Sequence, residues 1–165
     1  MIAKRNRAQI GRNASGSSIS EFGPALGLLL ICFFFPAVDM ISLGVSYGCC
    51  QLLNQTQVHE ASLLNWNQGT TAYTTVTQTI PNQWQTNGFG QFAKVAGTVD
   101  TSISFLTGQK GSDGVTDKIV AVHTTVTCNP FLPIPVPVLN VPGLNGPMTF
   151  TITAERPMEN PDYGQ

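Results

Sequence analysis

Two carboxylates stand where carboxylates are costly. Glu21 and Asp39 bracket an apolar run, residues 22–38. An acid at the edge of such a run needs a cationic partner or a wet surrounding. Asp39 could pair with a cation supplied by a neighbour, or lie in an outer headgroup layer where the run breaks. Four cysteines are the next reactive groups. Cys32 falls inside the apolar run and reads as a small buried hydrophobe. Cys49 or Cys50 could form a disulfide with Cys128 in an oxidising compartment. None forms a CxxC pair and the chain has two His, which argues against a zinc site. Asp113 and Asp117, with Asp100, could suggest calcium, but the EF-hand spacing is missing and a solvated turn is expected. His59 beside Glu60, with His123, could suggest acid–base work. No Ser or Cys nucleophile motif accompanies them, and there is no Walker A loop or dinucleotide fingerprint. We therefore expect no catalytic residue, no metal and no cofactor.

The elements that would position these residues are legible from periodicity. Between Phe22 and Tyr47 the only charged residue is Asp39. At 1.5 Å per residue those positions give a helix of roughly 39 Å, enough to span a bilayer with some tilt. Residues 28–35 are apolar all round, unlike a one-faced helix. Pro24 falls near the start, where proline is tolerated, and Pro36 should kink the helix or open its hydrogen bonding. An amphipathic extension to about Asn67 is expected, ended by Gly69, with Leu52, Ala61 and Leu64 toward a core. Residues 70–79 alternate like a strand, with a returning helix as the alternative. Ile80-Pro81-Asn82 should break that element, and a short helix is expected within 83–96. Residues 99–106 and 118–127 alternate around a glycine-rich loop, the signature of a β-hairpin. Residues 149–154 supply a third strand, with Phe150, Ile152 and Ala154 on one face. Six prolines between Pro130 and Pro147 make that stretch an extended connection.

Charge bounds both topology and partners. Half of the eight Lys/Arg (Lys4, Arg5, Arg7 and Arg12) lie in the first sixteen residues, with no acid among them. The remainder has four Lys/Arg against nine Asp/Glu and no basic stripe, so no nucleic-acid footprint exists. Cations before the run, and none after it until Lys94, orient the N-terminus to the cytoplasm and the body outward. A cleavable secretory signal competes with this reading, but the run is too long and no Ala-x-Ala site follows. Ser46-Tyr47-Gly48-Cys49 lacks the Leu of a lipoprotein site.

Gly16, four residues, then Glu21 and Phe22 opening an apolar helix behind a basic leader resembles a type IV prepilin processing site. With the Glu-Phe pair and a small β domain after the helix, the chain resembles the TadE-like minor pilins, or pseudopilins, of the tight-adherence pilus system. Residues 119–127, the Pro-rich stretch at 130–135, and residues 148–156 with Glu159 resemble that family's closing strands. The resemblance implies cleavage between Gly16 and Ser17 by a prepilin peptidase. It makes Glu21 the fifth mature residue, facing the new amine of a neighbouring subunit, and Phe22 the sixth. Asp39 could then meet another pilus or machine subunit. Ser17, Ser18 and Ser20 are more polar than the family pattern, and Pro24 comes earlier.

The reading is thus an α+β protein: a basic leader (1–16), a transmembrane helix with its outward extension (17–67), an irregular or helical connection (68–97), an extracytoplasmic antiparallel β domain (98–156) and a flexible tail (157–165). The expected role is structural and non-enzymatic, in pilus assembly and surface adhesion. Expected partners are other pilin subunits, the assembly machinery, a prepilin peptidase and the membrane, with no nucleic acid. The alternative is an uncleaved, signal-anchored envelope protein whose outer domain binds a ligand or protein.

Overall fold

A computed structural model describes residues 17–64, 73–110, 116–133 and 141–159, with side chains from Phe22 onward in the first helix. Helix α1 (Ser17–Leu29) runs through a π turn (Leu30–Phe34) into α2 (Phe35–Leu63). The cause of the π turn is Pro36. A proline ring collides with the carbonyl four residues back and offers no N–H. Widening the turn relieves this, and Phe35 donates its N–H to Leu30 O, five residues back. The same device recurs at Ile80–Pro81, where Ile80 N–H reaches Thr75 O at the end of a second π turn (Thr75–Thr79). The proline therefore does not break the chain there. Helix α3 (Ile80–Thr86) continues directly with Pro81 in its first turn.

Residues 74–79 are helical, the returning-helix alternative rather than the strand suggested by their Thr alternation. Tertiary packing overrides β-propensity here: Val76 is fully buried in the core and its carbonyl accepts a bond from Gln57. The short helix expected in 83–96 is two pieces. Asn87 separates α3 from α4 (Gly88–Phe92) and caps the latter by accepting the N–H groups of Phe89 and Gly90. Gly90 lies so close to the Trp84 carbonyl that no Cβ would fit.

Strands β1 (Asp100–Lys110), β2 (Thr116–Cys128) and β3 (Met148–Pro157) form one antiparallel sheet in that order. All three strands fall where the alternation placed them. On β2, Val120, Val122, Thr124, Val126 and Cys128 are buried, and Phe150 and Ile152 of β3 share their face. The C-terminal half of α2 lies across it. Its buried positions 46, 49, 50, 53, 54, 57, 58, 61 and 62 follow a helical stripe. The stripe corrects the expected core face at one position, since Leu53 is buried while Leu52 is 59 % exposed; Ala61 is fully buried and Leu64 packs against the core as expected. The helix ends at Leu63, short of Asn67, and Gly69 lies outside the described residues.

Two apolar clusters fill the interface. The one nearer the apolar run holds Cys49, Cys50, Leu53, Trp84, Val126 and Phe150. The other holds Val58, Ala61, Val76, Val120, Val122 and Met158. The far face of the sheet carries a cross-strand polar ladder, with Thr127 against Thr149 at 2.9 Å and His123 Nδ1 against Thr153 Oγ1 at 2.9 Å.

Toward the N-terminus the helix loses its cover. Phe22 is 66 % and Phe33 73 % exposed, and Leu28, Ile31 and Phe34 are also exposed. The stretch Phe22–Leu63 is long and apolar enough to cross a membrane.

Candidate functional site

The expected assembly residues fall into two groups. Gly16 lies outside the described residues, and Ser17 opens α1, with Glu21 and Phe22 within its first six residues. Phe22 is exposed on bare helix. Asp39 is different. Its side chain is fully buried, and Oδ1 accepts the backbone N–H of Leu132 at 2.8 Å. Oδ2 has no hydrogen-bond partner among the described residues. The carboxylate thus points into the chain's own fold rather than displaying itself to a neighbour.

The covering element is the Pro-rich connection, here called the strap. Its first end, 130–133, is held by Asp39 and by Lys94, whose Nζ donates to Phe131 O at 2.9 Å and sits 4.6 Å from the Phe131 ring centre. Its second end is a tight turn: Gly143 N–H to Gly146 O at 2.8 Å, Leu144 N–H to Val141 O at 3.0 Å, and Val141 N–H to Asn145 Oδ1 at 2.7 Å. Gly143 has φ +84° and lies directly on the Leu43 side chain. Both ends therefore rest on α2 within residues 39–43. The connection is irregular at both described ends, with an isolated Pro142–Gly146 bridge.

Further out, a polar layer separates the two apolar clusters. Asn54 Nδ2 donates to Val122 O at 3.0 Å and Thr124 Oγ1 at 2.9 Å. The Thr124 hydroxyl donates to Gln57 Oε1 at 2.7 Å. Gln57 Nε2 donates to Val76 O and Thr101 Oγ1, both at 2.9 Å. Asn54, Gln57 and Thr124 are completely buried. Helix, sheet and the 74–79 turn are thereby keyed to one register. Sequence reasoning missed this layer. Its signal was Asn54 and Gln57 at i, i+3 on the buried stripe, opposite a Thr in an otherwise valine-lined strand face. Asn54 opens the sequon Asn54-Gln55-Thr56, and its burial leaves no room for a glycan.

Cys49, Cys50 and Cys128 meet in the cluster nearer the apolar run as free thiols, whereas Cys32, expected to be buried, is an exposed free thiol on bare helix because nothing among the described residues covers that stretch. The Cys50–Cys128 hydrogen bond and burial push the Cys50 thiol well above its ordinary value of 9.0. Burial pushes Cys49 up as well, with the nearby Cys128 adding to it. The Cys50 bond acts downward on Cys128 and burial upward. Both side chains are fully enclosed, so the pair as a whole is held in the neutral thiol form.

The other sequence candidates are not brought together. Asp100 pairs with Thr125 at one end of the hairpin, whereas Asp117 lies beside Lys118 at the other, which pairs with Thr107. Asp113 lies outside the described residues. Among the described residues no group of three His, Cys, Asp or Glu is arranged to hold a metal. His59 meets Arg156 Nη1 through Nδ1 at 2.7 Å, and Arg156 bridges to Glu159 at 3.2 Å. His123 lies between Ser104 and Thr153 on the opposite face of the sheet.

The class these features define is an α+β protein in which a small antiparallel sheet is carried on a long helix whose leading half is bare and apolar. No protein-family model, curated protein or solved structure matches this chain.

Proposed function

We propose that this protein is a structural subunit of a tight-adherence-type pilus or its assembly complex. It is anchored in the cytoplasmic membrane by its N-terminal helix, with its leader cytoplasmic and its sheet outside. The observation that carries the reading is one helix with two kinds of surface. Residues 22–38 are apolar and largely exposed, which suits lipid or neighbouring helices, while the half beyond Ser46 is committed to the chain's own sheet. The resemblance of Gly16, Glu21 and Phe22 to a prepilin processing site adds the cut after Gly16. The new amine at Ser17 supplies the cation that a carboxylate in a low-dielectric setting needs. The role is assembly and adhesion, not catalysis. Mass spectrometry of the mature N-terminus tests it. A chain beginning at Ser17 is expected, and an intact leader in peptidase-competent cells refutes processing.

One observation favours the second reading, an uncleaved anchored binding protein. An open apolar groove of about 470 Å³ is lined by Val45, Cys49, Phe89 and Phe92. Under that reading the Glu21→Ala variant retains full activity, whereas under the first it fails to enter the pilus.

A further inference from the structure

We infer that the two ends of the strap are a lipid-contacting element, seated at the headgroup–acyl boundary of the outer leaflet. The inference rests on the membrane-anchor reading above and adds to it where the bilayer ends and what meets it there.

The argument begins with depth. A hydrocarbon core about 30 Å thick takes about 20 helical residues at 1.5 Å each. Counted from Phe22, that reaches Ile41. The apolar run itself ends at Val38 and is therefore a few residues short. The shortfall is made good around the helix. On its open face Met40 and Ile41 are 71 % and 69 % exposed. On its other face lies the strap, held to Asp39 through Leu132 and to Leu43 through Gly143. Both strap ends expose an apolar side chain at this level, Phe131 at 41 % and Val141 at 39 %.

Three further features fit a lipid boundary. The sequence from Pro130 to Pro147 has no charged residue, whereas the other described residues beyond Asp39 include Lys94, Lys110, Lys118, Arg156 and five carboxylates. Proline removes N–H donors, so a strap rich in it leaves fewer backbone groups to satisfy away from water. Lys94 lies above the Phe131 ring, where an ammonium can reach lipid phosphates while its stem covers apolar surface. The arrangement also accounts for Asp39. A carboxylate at this depth on bare helix would face acyl chains. The strap encloses it and supplies a backbone N–H.

Single-tryptophan variants in nanodiscs of phosphatidylcholine and phosphatidylglycerol test this. In a Trp66→Phe, Trp84→Phe background whose circular dichroism matches the parent, tryptophan is placed at Phe33, Phe131, Val141 or Glu155. Quenching by lipids brominated near the ester end or near the chain terminus is then compared. Phe131→Trp and Val141→Trp are expected to be quenched at least twofold by the shallow bromines and weakly by the deep ones. Phe33→Trp should follow the deep bromines, and Glu155→Trp, beside the outer end of the helix, should not be quenched. Loss of quenching at 131 and 141 with Phe33→Trp still quenched overturns the strap inference and leaves the anchor standing. Unquenched but blue-shifted emission at 131 and 141 overturns it in favour of a protein neighbour. Absence of quenching at Phe33→Trp overturns the membrane reading, and the strap inference with it.

Discussion

Gln57 spends its whole side chain inside the fold, giving both amide hydrogens to Val76 O and Thr101 Oγ1 and taking the Thr124 hydroxyl on its oxygen. Gln57→Leu keeps the volume but strands those partners in an enclosed space. Leaving buried polar groups unsatisfied costs about 1–3 kcal/mol each, more than the added apolar contact returns. The variant should lower denaturant stability by roughly 2–4 kcal/mol, read from urea unfolding of detergent-solubilised protein. Asn54→Leu should act the same way through Val122 and Thr124. The thiols make a pH prediction. Cys49 and Cys50 are held neutral in the folded chain, with their ionisation pushed above the ordinary 9.0. The unfolded chain ionises them near that value, so their contribution is fully present below about pH 9 and is lost as pH rises beyond it. Unfolding midpoints should fall above pH 9 more steeply in the parent than in a Cys49→Ala, Cys50→Ala chain. Iodoacetamide at pH 8 should label Cys50 and Cys128 only after unfolding.

At the scale of elements, the three strands and the long helix were readable because each buries one face at a fixed period. Val120, Val122, Val126 and Phe150, Ile152 announce their face by alternation alone. What was not readable is long-range. Asp39 and Leu132 are 93 positions apart, and no periodicity encodes their bond. The same holds for Thr74–Thr79, whose strand-like composition yields to a helical turn because Val76 has a core to enter and Gln57 has a carbonyl to meet. Of the candidate site, the carboxylates and thiols were identifiable by type, but not that Asp39 turns inward or that Asn54 and Gln57 key the helix to the sheet. The strap makes its own prediction. Gly143 combines a positive φ with contact against Leu43, so Gly143→Ala strains the backbone and displaces the side chain beneath it. A cost of about 1–3 kcal/mol is expected. Because the strap's hold on the helix is local, the sheet should persist. Hydrogen exchange should quicken at Leu132 and Gly143 while Val122 and Val126 remain protected.

For the molecule as a whole, the decisive asymmetry lies along the helix. Its outer half is consumed by the sheet, so a partner has the inner half and the open face at Met40, Ile41 and Val45 to work with. Under the proposed function, assembly through that surface would bring Glu21 to the inner end of the span, where the leader's cations give way to apolar residues. If cleavage leaves an amine at Ser17, a carboxylate there gains a charge partner in a setting that screens little. Removing the carboxylate should therefore abolish the contact between copies without touching the fold. Glu21→Ala is expected to insert normally, with a C-terminal alkaline phosphatase fusion as active as the parent's. Its circular dichroism should be unchanged, because the sheet, the polar layer and the strap all lie beyond Asp39. Its incorporation into sheared surface filaments should drop at least tenfold, and Glu21→Asp should recover part of it. Normal incorporation of Glu21→Ala would sever the link between this carboxylate and assembly and favour the anchored binding protein. An inactive phosphatase fusion in both chains would reverse the topology and remove the outward-facing sheet from either reading.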